Sequence, residues 1–232
     1  CPFCQNSALV LNPAAEPEIP EEQVLSFLKR RQGILEGVCI SGGEPTLSPD
    51  LEDFIQKIHD LGYSVKLDTN GTHPEVLKNL ADKGLIQKAA VDIKACPENY
   101  PSLSGLLHPP LDAVRETVDF LLHGNLDYEF RTTVVKELHN EEDFVRIGQW
   151  LKGARGYYLQ AYRDSEEVLQ PGFSSYSLEE LEQQVTETIH AEEEKSLNSI
   201  RKSLNGVKGL AVFAIIDCVL LVVILLHMLG VF

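Results

Sequence analysis

The residues best suited to chemistry occur in short strings, each placed at the end of an apolar run or at the start of the chain. Cys1-Pro-Phe-Cys4 offers two thiols at C-x-x-C spacing. Such a pair serves as half of a zinc site, as a redox dithiol or as part of an iron–sulfur site. Ser41-Gly42-Gly43-Glu44-Pro45 sets a carboxylate beside two glycines. Glycines let a ligand approach the backbone, and Glu44 suits an ammonium group through a charge-assisted hydrogen bond. A tight strand-to-helix turn has the same composition. Leu67-Asp68-Thr69-Asn70-Gly71 reads either as an Asn-Gly turn or as a strand end whose Asp68 and Thr69 point polar oxygens into a site. In Val91-Asp92-Ile93-Lys94, Asp92 and Lys94 share one face, as a surface ion pair or as an acid and a base at the mouth of a sheet. Arg131 alternates with apolar residues in Tyr128–Val135, so it faces one side of a buried sheet and needs an anion. Asp92 and Glu129 are the anions at hand.

The elements between these strings set their positions. Helical periodicity marks Glu21–Gln32, with Val24, Phe27 and Leu28 on one face, and Leu51–Leu61, with Asp50 as its cap. It continues in Pro74–Lys83, Leu111–His123, Glu141–Leu151 and Leu178–Ile189. Apolar runs at Gly37–Ile40, Ser64–Thr69, Ala89–Ile93, Asp127–Val135 and Gly156–Ala161 read as strands. This alternation predicts βαβ units and an α/β fold with a parallel sheet, curved by right-handed crossovers into a partial or full barrel. Ligands bind such sheets at the carboxyl ends of the strands, where the strings after the opening one fall.

The chain of 232 residues is long enough for one such domain, and 44% hydrophobic and 24% charged residues are ordinary for a globular protein. A net charge of −15 argues against nucleic-acid binding, which needs a basic face. Five cysteines without regular spacing make a poor disulfide framework and fit a reducing compartment. Cys39, within an apolar strand, reads as a small core residue. No signal peptide opens the chain.

Taken together, C-P-F-C, I-S-G-G-E-P-T-L, D-T-N-G, V-D-I-K-A, Y-E-F-R-T-T-V-V and L-Q-A-Y-R recur in the order that resembles the radical S-adenosylmethionine (SAM) superfamily. Within it, the chain looks most like the glycyl-radical activases, and most of all like the activating proteins of anaerobic ribonucleoside-triphosphate reductase. The resemblance implies a partial parallel (βα)6-type barrel over residues 1–175. It implies a 4Fe-4S cluster held by three cysteines, of which Cys1 and Cys4 match the second and third. The first would sit four positions before Cys1, so the sequence reads as a piece of a longer protein that lacks the barrel's first strand and is inactive alone. By the same resemblance Gly42, Gly43 and Glu44 bind the methionine amino group, and Phe3 lies near the adenine. Asp68, Thr69, Asp92 and Lys94 line the pocket, and Arg131 meets the carboxylate or ribose side of S-adenosylmethionine. Asp68, Thr69 and Asp92 would also offer oxygens to a monovalent cation. Gln160 and Arg163 match the closing L-Q-x-x-R.

The implied activity is reductive cleavage of S-adenosylmethionine to methionine and a 5′-deoxyadenosyl radical, which takes hydrogen from a glycine of the partner reductase. The electron would come from a flavodoxin- or ferredoxin-type donor. Two rivals stand: a radical SAM enzyme acting on a small molecule, as a deazaguanine synthase does, and a non-catalytic module, either a tethered radical domain or a zinc protein using Cys1 and Cys4. The tail departs from the family. Residues 176–208 read as a charged helical linker, and Gly209–Phe232 is an apolar stretch of roughly 24 residues, enough for a transmembrane helix. Arg201, Lys202 and Lys208 before it favour a cytoplasmic main domain, with possible attachment to the membrane through that helix. A fused, unrelated segment and a helix folded back on the domain are the other readings.

Overall fold

The computed structural model describes residues 1–104, 108–177 and 179–181. Five strands alternate with helices: β1 (Gly37–Ile40), β2 (Ser64–Thr69), β3 (Lys88–Asp92), β4 (Asp127–Val134) and β5 (Tyr157–Ala161). The helices are α1 (Ser7–Leu11), α2 (Glu21–Arg30), α3 (Leu51–Asp60), α4 (Pro74–Asp82), α5 (Tyr100–Ser104), α6 (Leu111–His123) and α7 (Glu141–Trp150). All neighbouring strands pair in parallel, in the spatial order β1-β2-β3-β4-β5. A doubly wound sheet reverses its strand order at a switch point; this one never reverses, which is the topology of an opened barrel.

Each strand alternates, and the two faces part accordingly. Val65, Leu67, Tyr128 and Phe130 point to one side and join Ile55, Ile58, Leu77, Leu80, Val114, Val118 and Leu121 of the helices in the main core. Ile55 and Ile58 are fully buried, each contributing about 1.5–3 kcal/mol by leaving water. On the other face the register sets Cys39 beside Lys66, Lys66 beside Lys88, and Asp92 beside Arg131.

The sequence misplaces some details. Asp50 makes no side-chain cap on α3, whereas α7 carries a capping box that its composition did not announce: Asn140 and Asp143 exchange side chain-to-backbone bonds. Phe27 is exposed, with the Arg31 guanidinium over its ring. Cys39 is exposed, not a core residue, because it alternates with Val38 and Ile40, which pack on the core, and so lies on the opposite face beside Lys66. The short helices α1 and α5 have too few residues for a periodic signal. The charged linker beyond residue 181 and the stretch 209–232 lie outside the described residues. Among those described, no helix is long and apolar enough to cross a membrane.

Two loops hold the carboxyl end of the sheet. Gly71 has φ +75°, and its carbonyl accepts the buried Thr117 hydroxyl at 2.8 Å. A Cβ there would lie 3.1 Å from Val91 Cγ1 and 3.3 Å from Thr117 Cγ2. His139, nearly buried, accepts from Val135 N–H at Nδ1 (3.2 Å) and donates from Nε2 to the Lys94 carbonyl (3.0 Å), tying the β3 exit to the β4 exit. Its ring stacks on Phe144 and meets the edge of Phe3.

Gly71→Ala should therefore lower stability by about 2 kcal/mol, read as a lower urea midpoint at unchanged slope. Burial lowers the pKa of His139 from its ordinary 6.5, against the smaller opposing pull of its carbonyl partners. The unfolded chain then takes up this proton first, so the His139 contribution is whole above pH 6.5 and is lost as pH falls below it through the folded value. His139→Gln should flatten that part of the stability–pH curve.

Candidate functional site

The carboxyl ends of the strands open into a cavity of about 800 Å³. Its lining brings together Cys1, Phe3 and Cys4 from the opening loop, Gly42, Gly43 and Glu44 after β1, and Asp68 and Thr69 on β2. Asp92 and Lys94 at the β3 exit and Arg131 on β4 complete the nominated set. Gln160 lines the same space; Arg163 contributes only its backbone, whose carbonyl accepts from Gln5.

The opening loop has no strand of its own. A turn from Cys4 N–H to the Cys1 carbonyl (3.1 Å) shapes it. The segment after β5 then grips it: Leu169 N–H donates to the Cys4 carbonyl at 3.0 Å, Gln170 N–H to the Pro2 carbonyl at 2.9 Å, and Ser7 Oγ to the Glu167 carbonyl at 2.6 Å. Phe3 touches the cavity but most of its ring is packed in a small core with Val135, Tyr162 and Val168, leaving 4% exposed. It anchors the thiol-bearing loop to the domain.

Glu44 is held from three sides. Oε1 accepts from Thr46 N–H (3.1 Å), Thr46 Oγ1 (2.5 Å) and Thr69 Oγ1 (2.7 Å), and Oε2 accepts from Asn70 N–H (2.7 Å). The G-G-E-P and D-T-N-G strings are thus one structure, joined through this carboxylate. Gly42, at φ +153°, turns the chain into it, and Asn6 Nδ2 donates to the Gly42 carbonyl.

Along the same face of the sheet, up to the cavity lining, runs a chain of alternating charge. Lys88 meets Glu129 at 2.8 Å, Glu129 meets Lys66 at 2.9 Å, and Lys66 lies 3.4 Å from Asp68. Arg131 then bridges Asp68 (3.1 Å) and Asp92 (3.0 Å), and Asp92 ends the chain at Lys94 (3.1 Å). Arg131 has therefore found its nearest anions on β2 and β3, while Glu129, at 4.0 Å from it, lies closer to the two lysines. Burial opposes charge on Lys66 and on Glu129. The ion pairs outweigh it, so the lysine pKa stands above and the glutamate pKa below its usual range. Burial first and Asp68 second push the Cys39 thiol up, so it stays a thiol. Lys66 and Lys88 were missed in the sequence; the signal was their period-2 phase with Asp68 and Asp92. One buried polar atom is unmatched by any hydrogen bond among the described residues, Asp68 Oδ1.

Two groups can be tested against these side chains. S-adenosylmethionine fits: the cavity volume falls within the range of small-molecule sites, a fixed carboxylate lines it, and Asp68 Oδ1, although 3.4 Å from Lys66 Nζ, accepts no hydrogen bond. A 4Fe-4S cluster is met in part. Cys1 and Cys4 give two thiolates on one loop, and no group of three or more His, Cys, Asp or Glu side chains suited to a metal ion exists among the described residues.

Arg131→Leu should leave Asp68 and Asp92 without their shared cation and lower stability by about 2–3 kcal/mol, less than a fully buried pair because Lys94 remains on Asp92. Arg131→Lys should recover only part of that in urea unfolding, since one ammonium cannot span both carboxylates in the fork geometry.

Residues 1–151 match the family described as the Radical SAM superfamily. A protein of Methanocaldococcus jannaschii named as a glycyl-radical enzyme activating enzyme is 29% identical over 171 residues, 72% of this chain and 69% of that protein. Another of that name from the same organism is 38% identical over 119 residues, 50% of this chain and 46% of its own length. A 7-carboxy-7-deazaguanine synthase of Thermoplasma acidophilum is 26% identical over 136 residues, 57% and 61% of the two chains. Among solved structures, Streptococcus suis SuiB bound to the precursor peptide SuiA matches with a TM-score of 0.65 at 16% identity, over 83% of this chain and 44% of that one. The chain thus spans less than two thirds of several of the proteins it matches. With two thiolates, the G-G-E-P carboxylate and the charged strand ends around one cavity, and with the family match running through more than half its length, this chain belongs to the radical SAM superfamily.

Proposed function

We propose that this chain is the radical SAM core of a glycyl-radical enzyme activase, with anaerobic ribonucleoside-triphosphate reductase as its partner and a flavodoxin- or ferredoxin-type protein as its electron donor. The observation that carries the reading is the single cavity in which the Cys1–Cys4 loop faces Glu44, Asp92 and Arg131. The named relatives in Methanocaldococcus jannaschii support the activase type. A rim of exposed Leu9, Val10 and Leu47 beside that cavity suits a protein segment better than a small polar substrate.

In this reading Cys1 and Cys4 would supply two of the thiolates that hold the cluster. The bound cluster supplies the electron that cleaves the sulfonium carbon–sulfur bond of S-adenosylmethionine. The chain's own side chains bind and orient. Glu44 receives the methionine ammonium, and since Oε1 already takes three donors and Oε2 one, the open lone pair is on Oε2. Asp68, Thr69, Asp92 and Lys94 line the ribose and carboxylate side, and Asp68 Oδ1 and Asp92 offer oxygens to a monovalent cation. Arg131 acts indirectly, by holding Asp68 and Asp92 at a fixed distance from each other. No acid or base is required; the site's task is placement and exclusion of water and oxygen. The protein would work in the cytoplasm, held to the membrane if 209–232 spans it. A small-molecule reaction is the second reading, favoured by the match to a deazaguanine synthase.

The test is anaerobic reconstitution of the full-length protein with iron and sulfide, then dithionite and S-adenosylmethionine. The expected product is 5′-deoxyadenosine, with a glycyl radical on added reductase in electron paramagnetic resonance. A full cluster without cleavage refutes the enzyme reading; cleavage without a radical on the reductase favours the small-molecule one. Glu44→Gln should weaken S-adenosylmethionine binding about 10- to 100-fold in titration calorimetry, the value of one hydrogen bond to a charged group, while leaving the cluster absorbance unchanged.

A further inference from the structure

Behind Glu44 stands a second pair of side chains that neither the G-G-E-P nor the D-T-N-G string accounts for. Thr46 Oγ1 lies 2.5 Å from Glu44 Oε1 and 3.1 Å from His73 Nδ1. A carboxylate only accepts, so the threonine proton is committed to Glu44. In the tautomer that carries its proton on Nδ1, His73 donates to that same oxygen. Thr72 Oγ1, 2.9 Å from Nδ1, is a second acceptor for that N–H. The result is a directed chain, His73 Nδ1–H to Thr46 Oγ1–H to Glu44 Oε1, in which each bond polarises the next.

Its location gives the chain leverage. Thr46 is 6% exposed, so its hydroxyl has little water to turn to. His73 is the residue before α4, whose first residue, Pro74, is buried, so the ring is carried by a fixed backbone. Without a donor from His73, the Thr46 hydroxyl keeps an unpaired lone pair and gains freedom to rotate away from Glu44. Oε1 would lose one of three donors and the carboxylate would lose its fixed plane, turning Oε2 away from the cavity.

We propose that His73 is a positioning residue for S-adenosylmethionine: acting through Thr46, it orients the Glu44 carboxylate that receives the ammonium group. The proposal rests on the S-adenosylmethionine site described above. It is tested by titration calorimetry of S-adenosylmethionine on reconstituted holoprotein, with urea unfolding alongside. His73→Leu should weaken binding about five- to tenfold at an unchanged turnover once saturated, as expected for loss of a ground-state contact. His73→Asn, whose amide nitrogen can occupy the Nδ1 position, should restore most of the affinity. Thr46→Val should match His73→Leu, and the double variant should be no weaker than either, because the two act in series.

Wild-type protein that fails to bind S-adenosylmethionine overturns the site and this proposal with it. Wild-type binding that His73→Leu leaves unchanged overturns the relay alone. So do additive losses in the double variant, or a loss that His73→Asn does not recover and that tracks a lowered urea midpoint, which is the signature of a purely structural role.

Discussion

The arrangement on which the site depends is the fork of Arg131 across Asp68 and Asp92. The register sets Asp92 beside Arg131 and Asp68 level with Ala90, so that charged side chains of three parallel strands meet on one face. Two carboxylates that close would repel each other and splay β2 from β3. The guanidinium between them, only 15% exposed, turns that repulsion into a brace. The same logic runs along that face through Lys66, Glu129 and Lys88, so a surface that must admit a charged ligand is itself nearly neutral. Stability is a secondary result, since a buried ion network does little more than offset its desolvation. Its main effect is geometric, because each carboxylate is fixed by more than one cation.

Much of this was legible before any coordinates. The alternation of strands and helices gave the open parallel sheet, with most boundaries right to within one or two residues. Every side chain nominated for the pocket lies around one cavity. What periodicity could not supply was lateral register. Lys66 and Lys88 have unremarkable neighbours in sequence, and only the pairing of β2, β3 and β4 makes them partners of Glu129. Cys39 was misread because a four-residue apolar run does not say which of its faces meets the core. Asp92 was named as an anion at hand for Arg131, whereas Asp68, its other partner, comes only from the pairing of the strands. The contact of His73 with Thr46 joins residues 27 positions apart through two loops, where no spacing rule applies.

Glu44 shows how a short motif can be both a turn and a site. Its backbone finishes one loop while its carboxylate caps the N–H of Asn70 in another, so the turn reading and the ligand reading are the same geometry seen from two sides. Thr69, buried at the end of β2, passes on the connection by donating to Glu44 and accepting from Gly71.

The anchoring of the two-thiol loop has a consequence for the order of assembly. Gln5 and Ser7 reach carbonyls 158 and 160 residues further along the chain. Closing loops of that length is slow, and a growing polypeptide cannot close them until the final strand has left the ribosome. The thiol-bearing segment, made well before β5, is thus among the last parts of the domain to gain a fixed position. A metallocentre on this loop is inserted into a nearly finished scaffold, and the cell must keep its thiols reduced throughout that wait.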